Sequence, residues 1–137
     1  MSKDGRSKRI RELYAEIEEL NPEILLDLNA MIRKYSQIQM LIGYMDADYL
    51  YEYGRYYAER KRVHAETIKN AIGTVAEKEA EAELATNKIR MKEEMAKSES
   101  RKWNNLFKST ENLIIALRRD ERTALEEYRK TNDVYER

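Results

Sequence analysis

From Leu28 to Val63 an apolar or aromatic side chain returns at every seventh position: Leu28, Tyr35, Ile42, Tyr49, Tyr56 and Val63. Seven residues are close to two turns of α-helix, so this period lays one stripe along a helix and demands a partner for it. Companion positions Met31, Ile38 and Met45 give way to Tyr53, Arg60 and Thr67 as the stripe drifts. Little interrupts it, since the chain holds four Gly and a single Pro. The expected fold class is therefore all-α: a short N-terminal helix plus a long antiparallel helical hairpin, in one domain that assembles as an oligomer.

Local signals set the expected boundaries. Ile10, Leu13, Ile17 and Leu20 predict a first helix over about 7–20, after a frayed start through Gly5. Asn21 is a natural N-cap, with Pro22 at the first helical position of a second helix over about 22–72. Gly73 suits a C-cap, and Thr74 with Glu77 forms a capping box opening a third helix over about 75–130. The third helix has its own seven-residue series, Ala82, Ile89, Ala96, Trp103, Thr110, Leu117 and Ala124. Gly43 and Gly54 each cost about 1 kcal/mol against Ala inside a helix, and Tyr49, Tyr51 and Tyr53 alternate as a strand would. The alternation is short beside the helical pattern, so helix is expected there too, bent or locally opened.

A hairpin turning at Gly73 places positions i and about 147 − i side by side. At about 1.5 Å per residue, two such helices would extend roughly 75–85 Å, with much surface for little core. Ile24-Leu25-Leu26 and Leu113-Ile114-Ile115 must leave some side chains facing outward. A homo-oligomer is expected, built from residues 10–45 with 103–128. Its core and contact residues are expected to be Leu28, Tyr35, Ile42, Trp103, Leu106, Phe107, Leu113, Ile114 and Leu117.

The tyrosine-rich stretch "YMDADYLYEYGRYYAERKR" raises the question of ligands. Lysine and arginine match aspartate and glutamate at 26 each, so any polyanion contact must come from local asymmetry. Arg55, Arg60, Lys61, Arg62 and Lys69 on the second helix, with Lys88, Arg90 and Lys92 on the third, make such a region. Helical phase assigns Tyr49, Tyr53 and Tyr56 to packing and leaves Tyr44, Tyr51 and Tyr57 for bases to stack on. The same charges also fit a solvated helix face with local pairs such as Glu59–Arg62 or Glu66–Lys69.

Enzyme chemistry finds little support, and no cofactor is expected. His64 is the only histidine and Cys is absent, which removes Cys–His catalysis and thiolate metal sites. Asp46-x-Asp48 with Glu52 lacks the rest of a calcium motif, and there is no Gly-rich phosphate loop. No signal peptide opens the chain and no run is long and apolar enough for a membrane span, so a cytoplasmic, soluble protein is expected.

"WNNLFKSTENLIIALRR", Trp103 to Arg119, resembles the corresponding helix of the UvsY family of phage recombination mediators. That family's pattern of a Trp, apolar residues three and four positions on, and an apolar-x-Ala-Ile/Leu-basic ending is met by Trp103, Leu106, Phe107, Ile114, Ala116, Leu117 and Arg118. The basic helix "AERKRVHAE" leading to a Gly-marked turn is also similar, and "GTVAEKEAEAELAT" looks like hairpins of small Gram-positive phage proteins. The resemblance implies a non-enzymatic mediator: a homo-oligomer, in that family a ring, that binds single-stranded DNA without sequence preference. Its partners would be a recombinase and single-strand-binding protein, in the host cytoplasm. From the residues alone, a regulatory or anti-defence protein acting through a helical face and a structural coiled-coil component stay open.

Overall fold

The computed structural model describes the backbone of residues 1–136 and side chains through Asp133. It contains three helices, α1 (Lys3–Glu18), α2 (Leu25–Asn70) and α3 (Val75–Glu136), and no strand among the described residues. The fold is all-α. It divides into two compact units: Met1–Met45 with Asn104 onward, and Asp46–Trp103.

Helix ends differ from expectation for identifiable reasons. α1 begins at Lys3, well before Ser7, because the Ser2 hydroxyl accepts the Gly5 N–H at 3.0 Å and caps it. α2 begins at Leu25 and not at Pro22. The Ile24 N–H bonds the Asn21 carbonyl, so Pro22 occupies a turn whose second position its fixed φ suits. Asn21 still caps, its side-chain oxygen accepting from the Glu23 N–H, while the Asn21 N–H donates to Asp27. α3 continues past Lys130 to Glu136. At the turn Gly73 takes φ 132°, a region L side chains avoid, and the Thr74–Glu77 box forms as expected.

In the first unit, α1 and the beginning of α2 pack with the later part of α3. Leu28, Ile32, Ile114 and Leu117 form a buried cluster with Tyr35 against it. Ile10, Leu13 and Ile17 bury the inner face of α1, and Ile38, Leu41, Ile42 and Met45 that of α2. Tyr14 meets Tyr35 edge-on with ring centroids 6.3 Å apart. Phe107 lies over Gly43, 3.4 Å from where a Cβ would stand, so the glycine leaves the ring room without breaking the helix. Leu106 and Trp103 are half-buried, each within its own unit. Leu113 and Ile115 face outward while Ile114 is buried, and Leu113 takes no part in this core. Ile24 and Leu26 likewise stand exposed around half-buried Leu25.

The second unit is an antiparallel pairing of α2 with α3 around the Gly73 turn. Its seam is unlike the first. α3 contributes the small or polar Ala82, Thr86, Glu93, Ala96 and Ser100, all buried. α2 contributes half-buried Tyr49, Tyr53, Tyr56, Arg60, Val63 and Thr67. Large side chains against small ones let the helices interdigitate. The Thr86 hydroxyl is satisfied by the Ala82 carbonyl at 2.9 Å, so its burial leaves no orphaned donor. Asp46–Ser100, Arg60–Glu93 and His64–Glu79 bridge the two helices, each within two turns of the expected i and 147 − i register. Gly54 lies within this continuous helix, with no break in the tyrosine block.

Candidate nucleic-acid interface

At about 100° per residue, the side of α2 turned away from α3 in the second unit collects positions 47, 50, 51, 54, 57, 58, 61, 62, 65, 68 and 69. They read Ala47, Leu50, Tyr51, Gly54, Tyr57, Ala58, Lys61, Arg62, Ala65, Ile68 and Lys69, and all are exposed but Ile68, which is half-buried. None is acidic. The exposed acids Glu59 and Glu66 lie along one flank, beside Arg55 and Arg62. The face thus runs from apolar and aromatic at Leu50 and Tyr51 to basic at Lys61, Arg62 and Lys69.

The helical phase inferred for the tyrosines holds. Tyr49, Tyr53 and Tyr56 are half-buried, whereas Tyr44, Tyr51 and Tyr57 are exposed by 53%, 72% and 43%, a clean division between packing and accessible rings. Tyr44 belongs to the first unit, where the Arg6 guanidinium lies 5.6 Å from its centroid. In the second unit each ring of Tyr53, Tyr56 and Tyr57 has a cation against it. Lys97 is 5.9 Å from Tyr53; Arg55 and Lys92 are 5.3 and 6.0 Å from Tyr56; Arg60 and Lys61 are 5.3 and 5.4 Å from Tyr57. Tyr53 and Tyr57 lie 6.5 Å apart with their planes tilted by 38°.

The basic residues singled out from the sequence do not act alike. Arg60 turns inward: its Nε lies 2.5 Å from Glu93 Oε2, and a second nitrogen 3.3 Å from Oε1. The bond to Glu93 raises the Arg60 pKa above its already high ordinary value, outweighing the opposing effect of burial. That guanidinium is committed to a nearly buried carboxylate and is poorly placed to hold phosphate. Arg62 pairs with Glu66 at 3.1 Å, one turn on, in place of the expected Glu59 pairing. Both partners are more than half exposed, so the pair contributes about 0.3–0.5 kcal/mol and yields readily to a phosphate. Lys61 and Lys69 share Arg62's outward face, and Arg55 borders it.

On α3, Lys88 and Lys92 fall on one exposed side, while Arg90, two residues from each, points elsewhere. The three do not form one row. Two contributors escaped the sequence reading: Lys97, which reaches Tyr53, and Leu50, whose place on the outward face follows from its three-residue spacing from Ala47. A groove lined by Tyr49, Glu52, Tyr56, Lys92 and Glu99 carries two carboxylates and is ill suited to a phosphate backbone. Asp46 accepts the Ser100 hydroxyl at 2.5 Å, and no cluster of three acidic or His side chains able to hold a metal occurs among the described residues. None of the described helices is long and apolar enough to cross a membrane. No protein-family model, curated protein or solved structure matches this chain.

Proposed function

We propose that this protein binds single-stranded DNA without sequence preference along the outward face of α2, and acts as an accessory that helps a recombinase load on DNA covered by single-strand-binding protein. The observation that carries the binding reading is the outward face of α2, which holds no acidic side chain from Leu50 and Tyr51 through Tyr57 to Lys61, Arg62 and Lys69 and has Glu59 and Glu66 on its flank. A nucleotide presents a flat base beside a phosphate. Tyr57 and Lys61, 5.4 Å apart, offer a partner to each. Base–aromatic stacking contributes about 1–3 kcal/mol per base and tolerates any sequence, and phosphate contacts make the affinity fall with salt. Because the net formal charge is zero, binding rests on this local face and not on a general attraction for polyanions.

The recombination role rests on the resemblance of Trp103 to Arg119 to the mediator family. Fluorescence anisotropy with single- and double-stranded oligonucleotides at two salt concentrations tests the binding reading. Salt-sensitive preference for single strands, independent of base composition, is the expected result; no single-strand binding at low salt refutes it. Shortening of the lag in recombinase assembly on coated single strands tests the mediator role separately.

A further inference from the structure

A groove between α2 and α3 in the second unit lies on the opposite side of α2 from the strand-binding residues, and its volume is about 230 Å³. Clefts for drug-sized ligands hold roughly 300–1,000 Å³, so this one suits a smaller group. The antiparallel register makes three rungs of its lining: Tyr49 level with Glu99, Glu52 with Met95, and Tyr56 with Lys92.

The two ends of the groove differ in charge. At the Tyr56 end, Arg55 and Lys92 already stand against the ring, 5.3 and 6.0 Å from its centroid. At the Tyr49 end the lining turns acidic. Glu52 and Glu99 are half-buried, and half-buried Asp48 comes one turn of α2 before Glu52. α2 carries no lysine or arginine between Lys34 and Arg55. Lys102 reaches Glu99 from solvent at 3.0 Å with its own side chain 61% exposed, and such a surface pair exchanges readily for another cation.

This lining selects among guests. An anion meets two carboxylates. A neutral apolar guest strips water from Glu52 and Glu99 and returns nothing for it. An alkylammonium meets both demands. Its charge replaces the water lost by the carboxylates and is drawn to an aromatic ring such as Tyr49, while its methylene stem lies along Met95. Arg55 and Lys92 repel the ammonium from the Tyr56 end and so fix its direction.

We infer that the groove binds a primary alkylammonium group, with its charge at Glu52 and Glu99 beside Tyr49 and its stem along Met95. A free diamine and a lysine side chain of another protein share this chemistry. The site stands whether or not α2 binds a strand.

NMR of the full chain with labelled methionine methyl groups reads the site directly. Met95 lines the groove, and Met40, exposed in the first unit, serves as the reference. Putrescine, and separately Nα-acetyl-lysine methylamide, is added at constant ionic strength. Each is expected to shift the Met95 signal to saturation in the millimolar range and to leave Met40 in place. The tighter of the two names the source, a free polyamine for the diamine and a partner's side chain for the lysine analogue. Glu52→Gln with Glu99→Gln is expected to weaken binding by about tenfold or more, and Lys92→Gln, which removes a repelling charge, to tighten it. Circular dichroism checks that the variants keep their helix content, and Glu99→Gln alone replaces the double variant if that one does not. Butanol, neutral and of similar length, is expected to leave Met95 unmoved. The inference is overturned by the absence of a saturable shift at Met95, by an equal shift at Met40, or by a butanol shift that matches putrescine. Unchanged binding in the carboxylate variant, or weaker binding in Lys92→Gln, overturns it as well.

Discussion

Arg60 on α2 and Glu93 on α3 form a two-pronged ion pair across the seam of the second unit, with 2.5 Å and 3.3 Å contacts and side-chain exposures of 19% and 5%. On the α3 side the seam around it is built from small and polar residues, Thr86, Ala96 and Ser100 among them, facing the tyrosines of α2. The pair also separates two roles within Arg60-Lys61-Arg62, a run that reads as one basic cluster. Arg60 joins the helices, whereas Lys61 and Arg62 face solvent.

Arg60→Ala is expected to lower unfolding stability by about 2–3 kcal/mol, because it strands the Glu93 carboxylate in a nearly dry site. The value falls below that for full burial because Arg60 keeps some contact with water. Lys61→Ala, on the exposed face, should stay within about 0.5 kcal/mol of wild type. Urea titrations followed by circular dichroism measure both. Equal effects would mean that the pair does not hold the seam. Replacing all three basic residues together would confound strand binding with unfolding.

Two glycines should respond in opposite directions. Gly73→Ala forces φ 132° on a residue with a Cβ that would meet the Glu77 carboxylate, and is expected to cost about 1–3 kcal/mol. A Cβ at Gly54 meets nothing within 4 Å, so Gly54→Ala is expected to add about 0.5–1 kcal/mol through helix propensity. Thermal melts of the pair read the two signs. A stabilised Gly73→Ala protein would contradict the turn geometry.

The periodic features were legible in the sequence because a helix turns spacing directly into direction. Leu28, Ile42, Ala82, Ala96 and Leu117 sit buried where their seven-residue series put them, and the accessible tyrosines separate from the packed ones by phase alone. Rotamer choice was not legible. Whether Arg60 turns to Glu93 or to solvent depends on a carboxylate from a distant part of the chain, and Arg62 chose Glu66 over Glu59 at nearly equal spacing. The start of α2 was misplaced for a related reason: Asn21 caps a turn around Pro22 before the helix begins, and its N–H bond to Asp27 spans six residues.

Tyr14 carries a pH signature. Burial, and secondarily the charge of Tyr35, raise its phenol above the ordinary value of 10.0. The unfolded chain therefore releases this proton first. The stability that Tyr14 contributes is intact below about pH 10 and is lost as pH rises through the higher folded-state value. Absorbance titration of tyrosinate in wild type and Tyr14→Phe should assign one late-titrating group to this residue. Stability of the Phe variant should decline less over the same alkaline range. A Tyr14 that titrates with the exposed tyrosines would sink the assignment.

The strand-binding face makes a two-part prediction, because stacking and phosphate contacts depend differently on salt. Tyr51→Ala or Tyr57→Ala should each weaken single-strand binding by about 1–3 kcal/mol, roughly 5- to 150-fold, without changing the salt slope. Lys61→Ala, Arg62→Ala and Lys69→Ala combined should flatten the plot of log affinity against log salt by about 2, at roughly 0.7 for each phosphate no longer neutralised. Tyr53→Ala serves as a contrast, since its ring is half-buried in the seam and its removal should show mainly in stability. Anisotropy titrations over a range of salt concentrations separate the outcomes. If the tyrosine variants change the slope and the lysine and arginine variants do not, the division of labour is wrong. If neither set moves the affinity, the strand lies elsewhere, and the outward face of α2 loses its assigned ligand.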